Sequence, residues 1–138
     1  PRQDPNSPYS AVIPLFIRAM LSGKQPVIFG DGQQSRDFVF VKDIVRGNLL
    51  AADAEDAAGR VINLATSEQT SLLELIALLN EMLDLDVEPE HQPAREGDVR
   101  HSRADISLAR DLLGYQPHFS LAEGLQQSID YYRTLVDR

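Results

Sequence analysis

The chain has 138 residues, 43% hydrophobic and 25% charged, with no cysteine and a formal net charge of −8 at pH 7. A chain of this length buries roughly 68–70% of the surface its unfolded form exposes, so an apolar core can hold it without metal or disulfide. The missing cysteine excludes a disulfide scaffold, a cysteine-ligated metal centre and a thiol nucleophile, and the acidic balance argues against nucleic acid and anionic membrane as partners.

No apolar run reaches membrane-spanning length and no signal-peptide pattern is present, so the expected location is cytoplasmic. Eleven of the thirteen basic residues are Arg, with only Lys24 and Lys42 as Lys. Arg offers a planar fork of donors suited to phosphate and carboxylate. The same enrichment also follows from base composition alone.

Residues 1–9 are rich in Pro, Asn and Ser and read as a turn-rich lead-in. Ser10 is the expected cap of a helix to about Ser22, with Pro14 in its first turn, where a missing amide donor costs least. Val27-Ile28-Phe29 reads as a strand ended by the turn Gly30-Asp31-Gly32, and Phe38-Val39-Phe40-Val41 as a second strand. A helix is expected from Asp43 to before Gly59, then a third strand at Val61-Ile62-Asn63-Leu64. Ser71 with Glu74 forms a capping box pattern ahead of a helix to about Leu83. Residues 86–104 are polar and extended, since Pro89 and Pro93 forbid a helix. Asp105 is the expected cap of a short helix to Leu113, closed by Gly114. Ser120 with Glu123 forms a second capping box, opening a helix through Leu135. These elements make an α/β chain of mostly helical, α+β character with few short strands. Such strands either form a small mixed sheet among themselves or pair with residues outside this chain.

Two clusters can carry chemistry. In Gly30-Asp31-Gly32-Gln33-Gln34-Ser35-Arg36-Asp37-Phe38 a tight reversal leads to an Arg at the start of a strand; the plain alternative is a surface hairpin whose Arg36 and Asp37 meet solvent or each other. In Arg95-Glu96-Gly97-Asp98-Val99-Arg100-His101-Ser102-Arg103, extended alternation sets Arg95, Gly97 and Val99 opposite Glu96, Asp98 and Arg100. Arg beside Asp suits a phosphate-bearing polyol, the Arg taking the anion and the Asp accepting from vicinal hydroxyls. A solvated loop with mutual charge pairing is the alternative. His91, His101 and His118 have no helical i, i+3 or i+4 spacing, so no metal site is expected. Ser102 beside His101 is no nucleophile arrangement, because neighbours in an extended chain face opposite ways. There is no glycine-rich dinucleotide turn and no P-loop. No Tyr has a Lys four residues later, since Ile13, Phe119, Leu135 and Val136 hold those positions.

Three ordered runs carry a resemblance. They are Pro1-Arg2-Gln3, then Gly30 through Asp43, then Arg95-x-Gly97-Asp98-Val99-Arg100-His101-Ser102-x-Ala104-Asp105, with Leu113-Gly114-Tyr115-x-Pro117 near the end. Together they resemble the C-terminal half of the NAD-dependent nucleotide-sugar epimerase/dehydratase family, the extended short-chain dehydrogenase/reductase group. The Gly97–Ser102 run is most similar to 4-epimerases of UDP-glucose and UDP-N-acetylglucosamine; a 4,6-dehydratase lobe and a free-standing binding domain are the alternatives.

The resemblance implies that residues 1–138 are one substrate-binding domain of an extended Rossmann-fold enzyme. NAD and the catalytic Tyr-x-x-x-Lys would belong to an N-terminal Rossmann half that this chain lacks, so the chain holds no catalytic, cofactor-binding or metal residue and is expected to be inactive alone. Its implied partners are a UDP-sugar, that N-terminal half and a second copy in a homodimer. The resemblance assigns Arg36 and Arg95 to the diphosphate and Asp98 to the ribose hydroxyls. It sets Val27 and Phe29 beside the uracil, one through its backbone and one against the ring. The family reaction is removal of the C4 hydride by NAD⁺, rotation of the 4-keto sugar and return of the hydride to the other face. The segment at residues 61–64 is expected to extend the Rossmann sheet and, without it, to drive self-association around residues 60–65.

Overall fold

Local signals account for most of the helices in the computed structural model, which describes residue 3 and residues 11–136. In chain order the elements are α1 (Val12–Leu21), β1 (Val27–Phe29), β2 (Ser35–Arg36), α2 (Val41–Asp53), a 3₁₀ turn (Glu55–Ala57), β3 (Thr70–Ser71), α3 (Leu72–Leu83), β4 (Glu90–Gln92), α4 (Ser107–Leu113) and α5 (Leu121–Val136). This is the helix-dominated arrangement with few short strands that the sequence suggests. The strands do not join into one sheet: β1 pairs with β4, and β2 with β3. The chain divides into two units, one of residues 1–34, 71–100 and 125–138, the other of residues 35–70 and 101–124.

In the first unit, helical spacing buries Phe16, Ile17 and Met20 of α1, Leu75, Ile76 and Leu79 of α3, and Leu125, Ile129 and Tyr132 of α5, together with Ile28 of β1. Ala11 is the N-cap residue of α1 and makes no side-chain cap bond; Ser10, the expected cap, lies outside the described residues. The capping box of α3 forms as expected, with Ser71 Oγ accepting from the Glu74 amide at 3.2 Å and Glu74 Oε2 accepting from the Ser71 amide at 2.7 Å. After α3 the Asn80 side chain grips Val87, accepting from its amide at 3.0 Å and donating to its carbonyl at 3.1 Å. That clasp starts the return to β4, a polar strand that apolar patterning does not reveal.

Three expectations fail in the second unit. The run Phe38–Val41 is not a strand. Val41 already belongs to α2, which begins two residues before Asp43, and Phe40 is its N-cap residue. The Phe40 ring packs edge-on to Phe119 at 5.1 Å between centroids instead of lining a ladder. Residues Val61–Leu64 also form no strand. A strand needs a neighbour for its amides and carbonyls, and none pairs with this segment among the described residues; Val61 is 91% exposed, while Ile62 and Leu64 pack against the core of Ala65, Ile106, Ala109, Leu113 and Tyr115. Asp105 is not the cap residue of α4. Its Oδ1 takes the Ser107 amide at 2.8 Å in a two-residue turn, and Ile106 occupies the N-cap. The second capping box does form, Ser120 Oγ accepting from the Glu123 amide at 3.3 Å.

Candidate functional site

The site in the first unit starts from the phase of one ladder. β1 and β4 run parallel, with Val27 opposite Glu90, Ile28 opposite His91 and Phe29 opposite Gln92. The Glu90 amide donates to the Pro26 carbonyl at 2.9 Å and the Gly30 amide to the Gln92 carbonyl at 2.8 Å. In a parallel pair this phase turns both backbone groups of Ile28 toward β4 and those of Val27 and Phe29 toward the opposite edge. The Ile28 side chain goes into the core, while Val27 and Phe29 are half-buried on the other face. The Phe29 carbonyl accepts from the buried Gln34 amide nitrogen at 2.7 Å.

Residues 95–98 depart from the expected alternation. The Asp98 amide donates to the Arg95 carbonyl at 3.3 Å, and Gly97, third of the four, has φ +80°. A turn of this kind needs positive φ at its third position, which glycine adopts without steric cost. The reversal brings Arg95 and Asp98 to one cleft of about 230 Å³, which Phe29, Asp31, Val99 and Arg100 also line. There the Arg95 guanidinium lies 3.6 Å above the centre of the Phe29 ring. That stacking fixes a planar donor fork over an apolar face.

Asp31 pairs with Arg100 at 2.8 Å. The Arg100 guanidinium, helped by the Gln33 amide, holds the Asp31 carboxyl below its ordinary range. His91 Nδ1 lies 2.7 Å from the Gly30 carbonyl, which can only accept, so this nitrogen carries a proton. The Gly30–Gly32 turn is thereby tied to β4 and to the 95–100 loop. Four of the five expected contact residues, Val27, Phe29, Arg95 and Asp98, belong to this unit.

Arg36 belongs to the second unit, where its Nη1 donates to the Ser35 carbonyl at 2.9 Å. Asp37 is committed elsewhere: its carboxylate accepts from the Thr66 and Ser67 amides at 2.9 Å each, from the Thr66 hydroxyl and from the Ala104 amide at 3.3 Å. Sequence reading missed this carboxylate, the roles of Asp31 and Arg100, and the fully buried Asp43. For Asp43 one local signal exists, an acidic residue in the first turn of a helix. No helix among the described residues is long and apolar enough to cross a membrane.

The NAD dependent epimerase/dehydratase family matches residues 1–65. The UDP-glucose 4-epimerase of Mycolicibacterium smegmatis is 39% identical over 133 residues, which cover 96% of this chain and 42% of that protein. The crystal structure of the Thermotoga maritima UDP-glucose 4-epimerase with UDP-glucose matches 99% of this chain and 43% of its own, with a TM-score of 0.91 and 41% identity. The chain belongs to the NAD dependent epimerase/dehydratase family. A further family member, the UDP-glucuronic acid 4-epimerase of Bacillus cereus in complex with UDP-glucuronic acid and NAD, matches 98% of this chain and 42% of its own at a TM-score of 0.89 and 35% identity. The chain thus spans about 42% of the length of the first curated relative, and its fold is that of the family's C-terminal part.

Proposed function

We propose that this chain is the nucleotide-binding domain of an NAD-dependent UDP-sugar 4-epimerase, with residues 1–138 acting as one substrate-binding domain. The observation that carries the reading is the cleft in which Arg95 stacks on Phe29 beside Asp98. Each part has a chemical counterpart in a UDP-sugar. The outward edge of β1 at Val27 offers backbone groups to a pyrimidine edge, and Phe29 an aromatic wall. Arg95 supplies a charge-assisted fork for phosphate, and Asp98 an acceptor for ribose hydroxyls. At about 230 Å³ the cleft is smaller than the roughly 300–1,000 Å³ of a complete ligand pocket, in keeping with a site that holds one end of its ligand. Arg36 takes a diphosphate role from the family resemblance. The Gly97–Ser102 run favours the 4-epimerase over the 4,6-dehydratase.

NAD does not fit the glycine turn after β1. The turn Gly30–Gly32 leads from β1 to β2, not to the helix N-terminus on which a dinucleotide pyrophosphate rests. We therefore assign NAD and the catalytic residues to a Rossmann domain beyond these 138 residues and expect no turnover from the chain alone. Support comes from Val41, Val45 and Leu49, which follow one another at four-residue steps along α2 with their apolar side chains exposed; this is the pattern of a helix face with a packing partner. Cytoplasmic location and a homodimer complete the proposal.

Calorimetric titration with UDP tests the binding assignment. Arg95→Ala should weaken UDP by about 10- to 150-fold, the equivalent of about 1.5–3 kcal/mol for a charge-assisted bond. Unchanged affinity in Arg95→Ala would reject the site.

A further inference from the structure

The second unit brings His101 to a serine 66 positions away. Ser35, 7% exposed, precedes Arg36 and forms a parallel bridge with His101. Its carbonyl accepts from the Ser102 amide at 3.1 Å and from Arg36 Nη1 at 2.9 Å. Its hydroxyl oxygen accepts from Gln69 Nε2 at 3.1 Å and lies 2.9 Å from His101 Nδ1. The Gln69 amide nitrogen can only donate, which leaves the Ser35 hydroxyl its proton and a second lone pair for His101 Nδ1, and a relay runs from Gln69 through Ser35 to the imidazole. On the other side of Arg36, Asp37 is held by Thr66, Ser67 and Ala104. Arg36 therefore stands between two residues that are each tied to distant parts of the chain.

Arg is costly to immobilise, because a long side chain loses rotamer freedom on binding. Fixing the backbone that carries it before the ligand arrives lowers that cost. We propose that His101 is a positioning residue for Arg36: through the Ser35 hydroxyl, with Gln69 completing the relay, it holds the backbone from which Arg36 reaches a nucleoside diphosphate. This rests on the diphosphate role proposed above for Arg36. His101 itself need not touch the ligand.

A double-mutant cycle on UDP affinity, measured by calorimetry beside a thermal melt of each variant, tests it. His101→Leu should weaken UDP by at least about fivefold when Arg36 is present and by less than about twofold in an Arg36→Ala background, as coupled residues do. His101→Asn, which can place an acceptor or a donor where Nδ1 stands, should restore the affinity. Gln69→Leu should repeat the loss through the same hydroxyl and replaces His101→Leu in the cycle if that variant does not fold. Equal losses in both backgrounds, or wild-type affinity in the single variant, would overturn the proposal. If Arg36→Ala weakens UDP while His101→Leu and Gln69→Leu do not, the positioning role alone falls. If Arg36→Ala binds as tightly as the parent, the diphosphate role of Arg36 falls and the positioning role falls with it.

Discussion

Asp43 offers the sharpest stability test, because its carboxylate is fully buried and its partners are known. Oδ1 accepts from the His118 amide at 2.9 Å and Oδ2 from the Phe119 amide at 3.1 Å. Asp43→Ala strips both amides of a charged acceptor. Each such bond contributes about 1.5–3 kcal/mol net, and the gain from no longer burying a carboxylate offsets part of the sum. The expected loss is about 3 kcal/mol, which for a domain of this size lowers Tm by roughly 10 °C. Asp43→Asn retains one acceptor but turns an NH₂ toward the second amide, so it should lose about half as much. Urea unfolding read by circular dichroism gives both values, with the slope against denaturant unchanged if only stability is affected. An Asp43→Ala protein within about 0.5 kcal/mol of the parent, the scatter of ordinary surface substitutions, would refute the argument that this carboxylate anchors residues 118–119.

Two further outcomes are expected. The Ser71 amide and hydroxyl lower the Glu74 carboxyl, and the Ser120 hydroxyl and amide lower that of Glu123. A carboxylate depressed in the folded state stabilises above its unfolded value, near about 4.3 for Glu, and loses that contribution as pH falls through the folded value; helicity should therefore drop below about pH 4.3, and Ser71→Ala should cost about 1 kcal/mol at neutral pH and flatten part of the acid slope. On the homodimer proposal, light scattering across a concentration series should give a mass above the monomer at tens of micromolar, reduced by Val61→Lys; a strictly monomeric mass would dismiss it.

Features written in neighbouring residues were legible. Ser71 with Glu74 and Ser120 with Glu123 lie three residues apart, so pattern and hydrogen bonds coincide, and Val27–Phe29 is short, apolar and bounded by a glycine turn. Most of the misses depend on a partner far along the chain, while Asp105 was missed over a two-residue turn to Ser107. Asp43 meets residues 75 and 76 positions away, and Asp37 meets Thr66 29 positions away. The apolar run Phe38–Val41 says that side chains seek apolar contact, not that a ladder partner exists. Glu90-His91-Gln92 forms its ladder with β1 through backbone groups, so its polar side chains hide a strand. At the site, Arg95 and Asp98 stood out by residue type. Their meeting in one cleft depends on the 95–98 turn, and the stacking of Arg95 on Phe29 joins segments 66 positions apart.

The central claim is that the cleft of Phe29, Arg95 and Asp98 binds the nucleotide end of a UDP-sugar. An amide-resolved NMR titration of the chain with UDP tests it most directly. The account predicts saturable shifts at Val27, Phe29, Arg95, Gly97 and Asp98, lost together in Arg95→Ala while the spectrum remains that of a folded protein. No shift in these amides at millimolar UDP, or shifts that persist unchanged in Arg95→Ala, would contradict it.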